Sequence, residues 1–141
     1  MNDVSARSPS TLDFWGIVLA IFGAGNLANA LWMLAAPGHW YENLPAGVPH
    51  FGPLNEHFVR DIGCIFLLLG VGLMVAAFSL RWRVAASAAV TTYLVLHALV
   101  HVFDTARGLV GPEHWVIDLP GVYIPAVLMM FITWRVAGAS R

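Results

Sequence analysis

The sequence predicts an all-α, four-helix transmembrane bundle, and three observations predict it. Charged residues make up 11% of the chain and hydrophobic residues 59%, whereas soluble domains carry roughly 25% charged residues. The mean hydropathy is +0.74. The apolar residues gather into four runs, each close to the roughly 20 residues a helix needs to cross a hydrocarbon core about 30 Å thick. A chain of 141 residues then has room for a single membrane domain and no separate soluble module.

Residues 1–13 are polar, with Arg7, Pro9 and several serines, and read as a short loose tail. The first helix is expected over 14–36, where no charge occurs. That run exceeds the usual signal-peptide core of about 7–15 residues, and Pro37 after Ala35-Ala36 makes a poor cleavage site, so the helix reads as retained. Gly16, Ala20, Gly23, Ala24 and Ala28 supply small residues at helical spacing for a close neighbour. Asn26 and Asn29 are its strongly polar residues, and at least one is expected to hydrogen-bond toward the second or third helix.

A loop follows that is rich in turn formers, from Pro37 to Asn55, and it carries His39, Trp40, Tyr41 and His50. Trp and Tyr just past a helix end anchor it at the membrane boundary. The second helix is expected over 56–80 and the third over 84–104, joined by a cationic turn at Arg81-Trp82-Arg83. The fourth occupies 115–136. There Asp118 before Pro120 fits either an N-cap with an early helical proline or a kinked helix, and Pro125 is expected to bend the chain.

The net charge of -1 and seven scattered arginines leave no nucleic-acid footprint. The single cysteine, Cys64, excludes an internal disulfide and a Cys-rich metal site. Arg7, Arg81, Arg83, Arg135 and Arg141 fall on one side of the four spans, against Arg60 and Arg107 on the other. By the positive-inside rule both termini are cytoplasmic, as in a bacterial inner-membrane protein.

The chemistry-bearing residues concentrate on two helices. His97, His101 and Asp104 stack along one stripe of an otherwise apolar helix, and His57 and Asp61 share a face of the helix before it. Ionisable groups in a span are costly in lipid and face a protein interior by default. Counted up from the Arg81/Arg83 turn at about 1.5 Å per residue, Asp61 lies roughly 30 Å, His101 roughly 27 Å and Asp104 roughly 31 Å away. The two motifs therefore meet at one depth, near the outer boundary. Imidazoles at i,i+4 with a carboxylate three residues on are transition-metal ligands, so His57, Asp61, His97, His101 and Asp104 are the expected metal set. Zinc, iron, copper or nickel would suit them. Haem, with His57 and His97 or His101 as axial ligands, ranks below a bare ion. Arg60 is expected to pair with Asp61 or Asp104. The structural alternative is an ion-pair lock of Arg60, Asp61 and Asp104 at the helix ends.

Four short helices with both ends inside, and Arg60-Asp61-Ile62-Gly63 opening the second helix, resemble the small bacterial DoxX-like membrane proteins. That resemblance covers the whole chain as an architecture and implies membrane-bound redox or quinone-linked roles; it implies no site residue. Three functions follow from these readings. The first is a metal-binding membrane protein, redox-linked to a lipid-soluble substrate. The second is a proton- or cation-handling transporter subunit. The third is a small structural subunit of a homo-oligomer or larger membrane complex. The lower half of the bundle, with Ser79, Ser87, Thr91 and Thr92 as its polar residues on the middle helices, argues against an ion path through a single chain.

Overall fold

The computed structural model describes residues 12–139, so most of the loose tail expected over residues 1–13 lies outside the described residues, as do Arg7 and Arg141. Among the described residues all regular secondary structure is helical. Four stretches are long and apolar enough to cross a membrane: Phe14–Ala35, Glu56–Phe78, Leu80–Ala106 and His114–Ala139.

Helix α1 (Phe14–Ala35) starts where Asp13 caps it, the carboxylate accepting the Gly16 N–H at 2.8 Å. The expected outer loop contains structure of its own. Pro37, with its preset φ, opens a short helix α2 (Pro37–Asn43), and a 3₁₀ turn follows over Val48–Phe51. Helix α3 (Glu56–Phe78) is capped by Asn55, whose Oδ1 accepts from Phe58 N–H at 3.1 Å.

Helix α4 (Leu80–Ala106) begins four residues before the expected start. The Arg81–Arg83 stretch is helical, and the break from α3 is the single extended residue Ser79. The reason is Arg83, which is buried. It donates from Nε to Ala76 O and from Nη2 to Ala77 O, each at 3.1 Å, and from Nη1 to Asp13 Oδ2 at 2.7 Å. A guanidinium thus satisfies the last carbonyls of α3 and ties them to the cap of α1. The same guanidinium beside Asp13 holds its carboxyl below the ordinary value of 3.8.

At its far end α4 stops in a Schellman motif: Gly108 takes φ +72°, Gly108 N–H donates to Thr105 O, and Leu109 N–H to Asp104 O. The expected fourth helix is then broken into three pieces. Helix α5 (His114–Ile117) is one turn; Leu119–Tyr123 is a wide π-type turn; helix α6 (Ile124–Ala139) completes the span. Pro120 and Pro125 cannot donate to carbonyls four residues back, and the wide turn contains the first and ends shortly before the second. Asp118 O accepts from Val122 N–H and Tyr123 N–H together, at 2.9 and 3.2 Å.

The helices form a ring in which α3 lies between α1 and α4, and α4 between α3 and α6. Trp15 closes it edge-on against Phe131 at 6.3 Å, with Arg135 over the Trp15 ring. All four long helices contribute to one core, through Leu19, Leu73, Val90 and Met129 among others. Packing is tightest between α1 and α3, where small residues recur every seven positions on both: Gly16, Gly23 and Ala30 against Gly63, Gly70 and Ala77, all buried. A Cβ on Gly16 would stand 2.8 Å from Ala77 O, and one on Gly70 would stand 2.7 Å from Leu27 Cγ and 3.0 Å from its backbone N. A repeat of seven is the spacing that keeps one seam facing the partner when two α-helices wind into a left-handed supercoil. Ala24 and Ala28, expected to share in the close approach, face outward instead. Large apolar residues cover the outside; Ile21, Leu68, Leu96 and Val127 are each more than half exposed. Small inside and large outside suits a solvent of hydrocarbon.

The two asparagines of α1 do not reach α3 or α4. Asn26 donates to Phe22 O in its own helix, and Asn29 accepts the Trp40 indole N–H at 2.9 Å. The physical reason is α2, which folds back over the end of α1 and brings a donor closer than either long helix.

The seam yields a paired expectation. Gly70→Ala should destabilise the protein by about 1–3 kcal/mol through overpacking. Gly72→Ala, where a Cβ meets nothing within 4 Å, should leave it unchanged or slightly more stable. Thermal unfolding in detergent would measure both, and equal effects would discard the seam as the organising contact.

Candidate metal centre

The site lies at the end of the bundle away from Arg83 and is built around one carboxylate. Asp118 has no solvent exposure. Its Oδ2 meets His101 Nδ1 at 2.8 Å and its Oδ1 meets His114 Nδ1 at 3.2 Å. His114, also fully buried, turns its other nitrogen outward, Nε2 lying 2.9 Å from His50 Nδ1. Three consecutive contacts thus run His50, His114, Asp118, His101.

Each member is delivered by a different local device. His101 stands in the last turns of α4. His114 is the first residue of α5, one helical turn from Asp118, so their side chains share a face. His50 is carried by the 3₁₀ turn, entered through Gly47 at φ +59°. A Cβ on Gly47 would sit 3.0 Å from His50 Nδ1 and 3.2 Å from His114 Cε1, so the loop approaches this closely only with glycine there. Phe51 packs edge-on against both imidazoles, its ring centroid 4.8 Å from that of His114 and 5.0 Å from that of His101.

The hydrogen-bond roles follow from donor counting. A carboxylate only accepts, so His101 and His114 both direct Nδ1–H at Asp118, and in the neutral form each ring then has its lone pair on Nε2. With His114 in that form, its Nε2 accepts from His50 Nδ1–H. This is the arrangement in which a carboxylate fixes the tautomer of a metal-binding imidazole. Among the described residues, His50, Glu113 and His114 form a group with one ligand atom each within 4.8 Å of one another. Two of the three are exposed, so the group opens at the surface of the bundle.

The five residues expected as ligands do not converge. His97 and His101 do meet, ring centroids 4.6 Å apart, with Tyr93 stacked on His97 at 5.8 Å. His57 and Asp61 pair with each other at 3.5 Å on the surface, with side chains 89% and 61% exposed. His101 takes Asp118, not Asp104, as its carboxylate. Arg60 pairs with Glu56 at 3.0 Å, one turn back on its own helix, rather than with Asp61 or Asp104. The beginning of α3 presents these charges outward, whereas its inward positions there are Val59 and Gly63.

Sequence reasoning passed over Glu113, His114, Asp118 and His50. One signal was present: His114 and Asp118 repeat the His-x3-Asp spacing of His57 and Asp61. His50 stands 64 residues from His114, and no local pattern joins them. No protein-family model, curated protein or solved structure matches this chain, and the reading of the site rests on its own geometry.

Removing the carboxylate tests the centre. Asp118→Ala leaves two imidazole donors unpaired and should cost about 1–3 kcal/mol for each, read as a fall in the thermal midpoint. Asp61→Ala, on the surface, should leave the midpoint in place. A tolerated Asp118→Ala would remove the carboxylate from its central position.

Proposed function

We propose that this multi-pass membrane protein binds a first-row transition-metal ion, zinc, iron or copper, at the outer end of its bundle. His114, through Nε2, and His50 are the nitrogen ligands, the ion taking the place of the hydrogen bond between them; Glu113 is the oxygen ligand, and Asp118 the group that orients His114 and couples it to His101. The observation that carries this reading is the fully buried Asp118 carboxylate, which holds His114 with Nε2 turned toward His50 and Glu113. Nitrogen and carboxylate donors without thiolate suit these ions, and with three protein ligands a zinc ion would keep an open position.

The test is elemental analysis of protein purified without chelator. Stoichiometric metal is expected. His114→Ala should abolish it, and Asp118→Asn should weaken affinity about 10–100-fold, as loss of an orienting carboxylate does. His57→Ala and Asp61→Asn should change nothing. Metal-free wild type that also fails to take up added zinc would end the proposal.

A second reading has one specific observation behind it. The contacts from exposed His50 to partly buried His101 are unbroken, and such a chain can pass protons inward by alternating imidazole donors. It supports proton handling at this end of the bundle if no metal is found.

The arginine distribution supports an orientation with both termini cytoplasmic and the His/Asp centre outside. In a Cys64→Ala background, cysteine at exposed Glu42 should react with an impermeant maleimide from outside intact cells. Cysteine at exposed Trp82 should react only after lysis. Labelling of position 82 in intact cells would invert the assignment.

A further inference from the structure

Beside the His/Asp centre, and separate from it, a cleft of about 200 Å³ opens between the end of α1, α2, the 3₁₀ turn and the beginning of α3. Trp40, Tyr41, Phe51, Phe58, Val59 and Ile62 are among its walls, and no charged residue lines it. We infer that this cleft binds one neutral, monocyclic aromatic molecule taken from the membrane–water boundary.

Size sets the first limit. An apolar cavity of about 150 Å³ accepts benzene, so the space here fits a single ring with one or two small substituents and cannot enclose a fused ring system or a whole acyl chain. Polarity sets the second. The Tyr41 hydroxyl donates to Gly52 O at 2.7 Å, the Trp40 indole N–H donates to Asn29 Oδ1 at 2.9 Å, and Asn55 Oδ1 caps α3. These polar atoms are engaged elsewhere, and a guest meets mainly ring faces and alkyl groups, with the Asn55 amide at the wall. Shape sets the third. Four aromatic side chains offer edges and faces for offset or edge-on contact, which favours a flat ring over a flexible chain of equal volume. Phe51 and Phe58 are 40% and 61% exposed, so apolar surface lines the way in. Trp40 and Tyr41 are residue types that concentrate at the membrane boundary, where small aromatics also collect.

Phe51 is the wall shared with the metal centre, lying against His101 and His114 on one side and lining the cleft on the other. A bound ring would therefore sit one phenyl group away from the imidazoles. The inference rests on the cleft alone and does not need a metal ion to be present.

The experiment uses the full chain in phosphatidylcholine nanodiscs, titrated with 4-fluorotoluene and followed by fluorine NMR, with and without prior chelator treatment. The expected result is a saturable, ring-current-shifted resonance at one equivalent per chain, displaced by toluene, in both preparations. Phe58→Ala should weaken that binding at least 10-fold, and Ile62→Trp, which fills the cleft, should abolish it. Because Phe58 is exposed, its removal keeps the test decisive if Ile62→Trp does not fold. Linear partitioning that is the same in wild type and Phe58→Ala would overturn the inference. Displacement by hexane as effective as by toluene would also overturn it, since the cleft would then take alkyl chains without regard to a ring.

Discussion

A carboxylate shut away from solvent has to find its donors inside the protein, and Asp118 finds them on two separate segments. Neither supplies it by accident of proximity. His114 is placed by one turn of helix and His101 by the end of a long span, so the single carboxylate pins α5 against α4. Leaving such a group unpaired would cost several kcal/mol in a medium without water. The broken fourth span makes sense in this light. A continuous helix through Pro120 and Pro125 would leave carbonyls without donors; the π-type turn instead lets Asp118 O serve two N–H groups while its side chain serves two imidazoles. Backbone irregularity at membrane depth is tolerated where protein covers it, and here it coincides with the polar centre.

The two ends of the bundle use buried polar chemistry for different purposes. At the Arg83 end, a guanidinium with three acceptors closes the gap between α3 and α4 and reaches the cap of α1. The acceptors of that guanidinium all come from the fold itself. At the Asp118 end the chain of contacts terminates at exposed His50, with Glu113 beside it. One end is closed and structural; the other keeps donor atoms facing outward, which is where a ligand can act.

Hydrocarbon as solvent explains the distribution of residue size. Lipid tails compete with leucine for leucine, so apolarity alone does not drive the helices together. Close backbone approach does, and it demands glycine or alanine at each crossing of the α1–α3 seam. The bulky residues go outward and the small ones inward. The His/Asp centre depends on this arrangement indirectly: the tight α1–α3 pair sets the wall against which α2 and the 3₁₀ turn fold, and that turn presents His50 and Phe51.

Helix number, approximate spans and the membrane class were legible in the chain because each depends on local runs of composition and on a period of 3.6 residues. The start of the second span after Asn55 and the bend announced by Pro120 and Pro125 are equally local. The site was half legible. His97 and His101 were picked out by spacing along α4, and spacing correctly made them neighbours. Spacing also picked out His57 and Asp61, and there it misled, because i,i+4 places two side chains on one face without saying which way that face turns. The same His-x3-Asp spacing gives an exposed pair at the beginning of α3 and a buried one across α5 and the turn after it. What the sequence determined by itself is that four apolar helices carry a few ionisable residues near one end. Which carboxylate those imidazoles share was decided by the tertiary structure alone, through the rotation of α3 on α1 and a glycine turn that brings His50 across 64 residues to His114, neither of which any local pattern encodes.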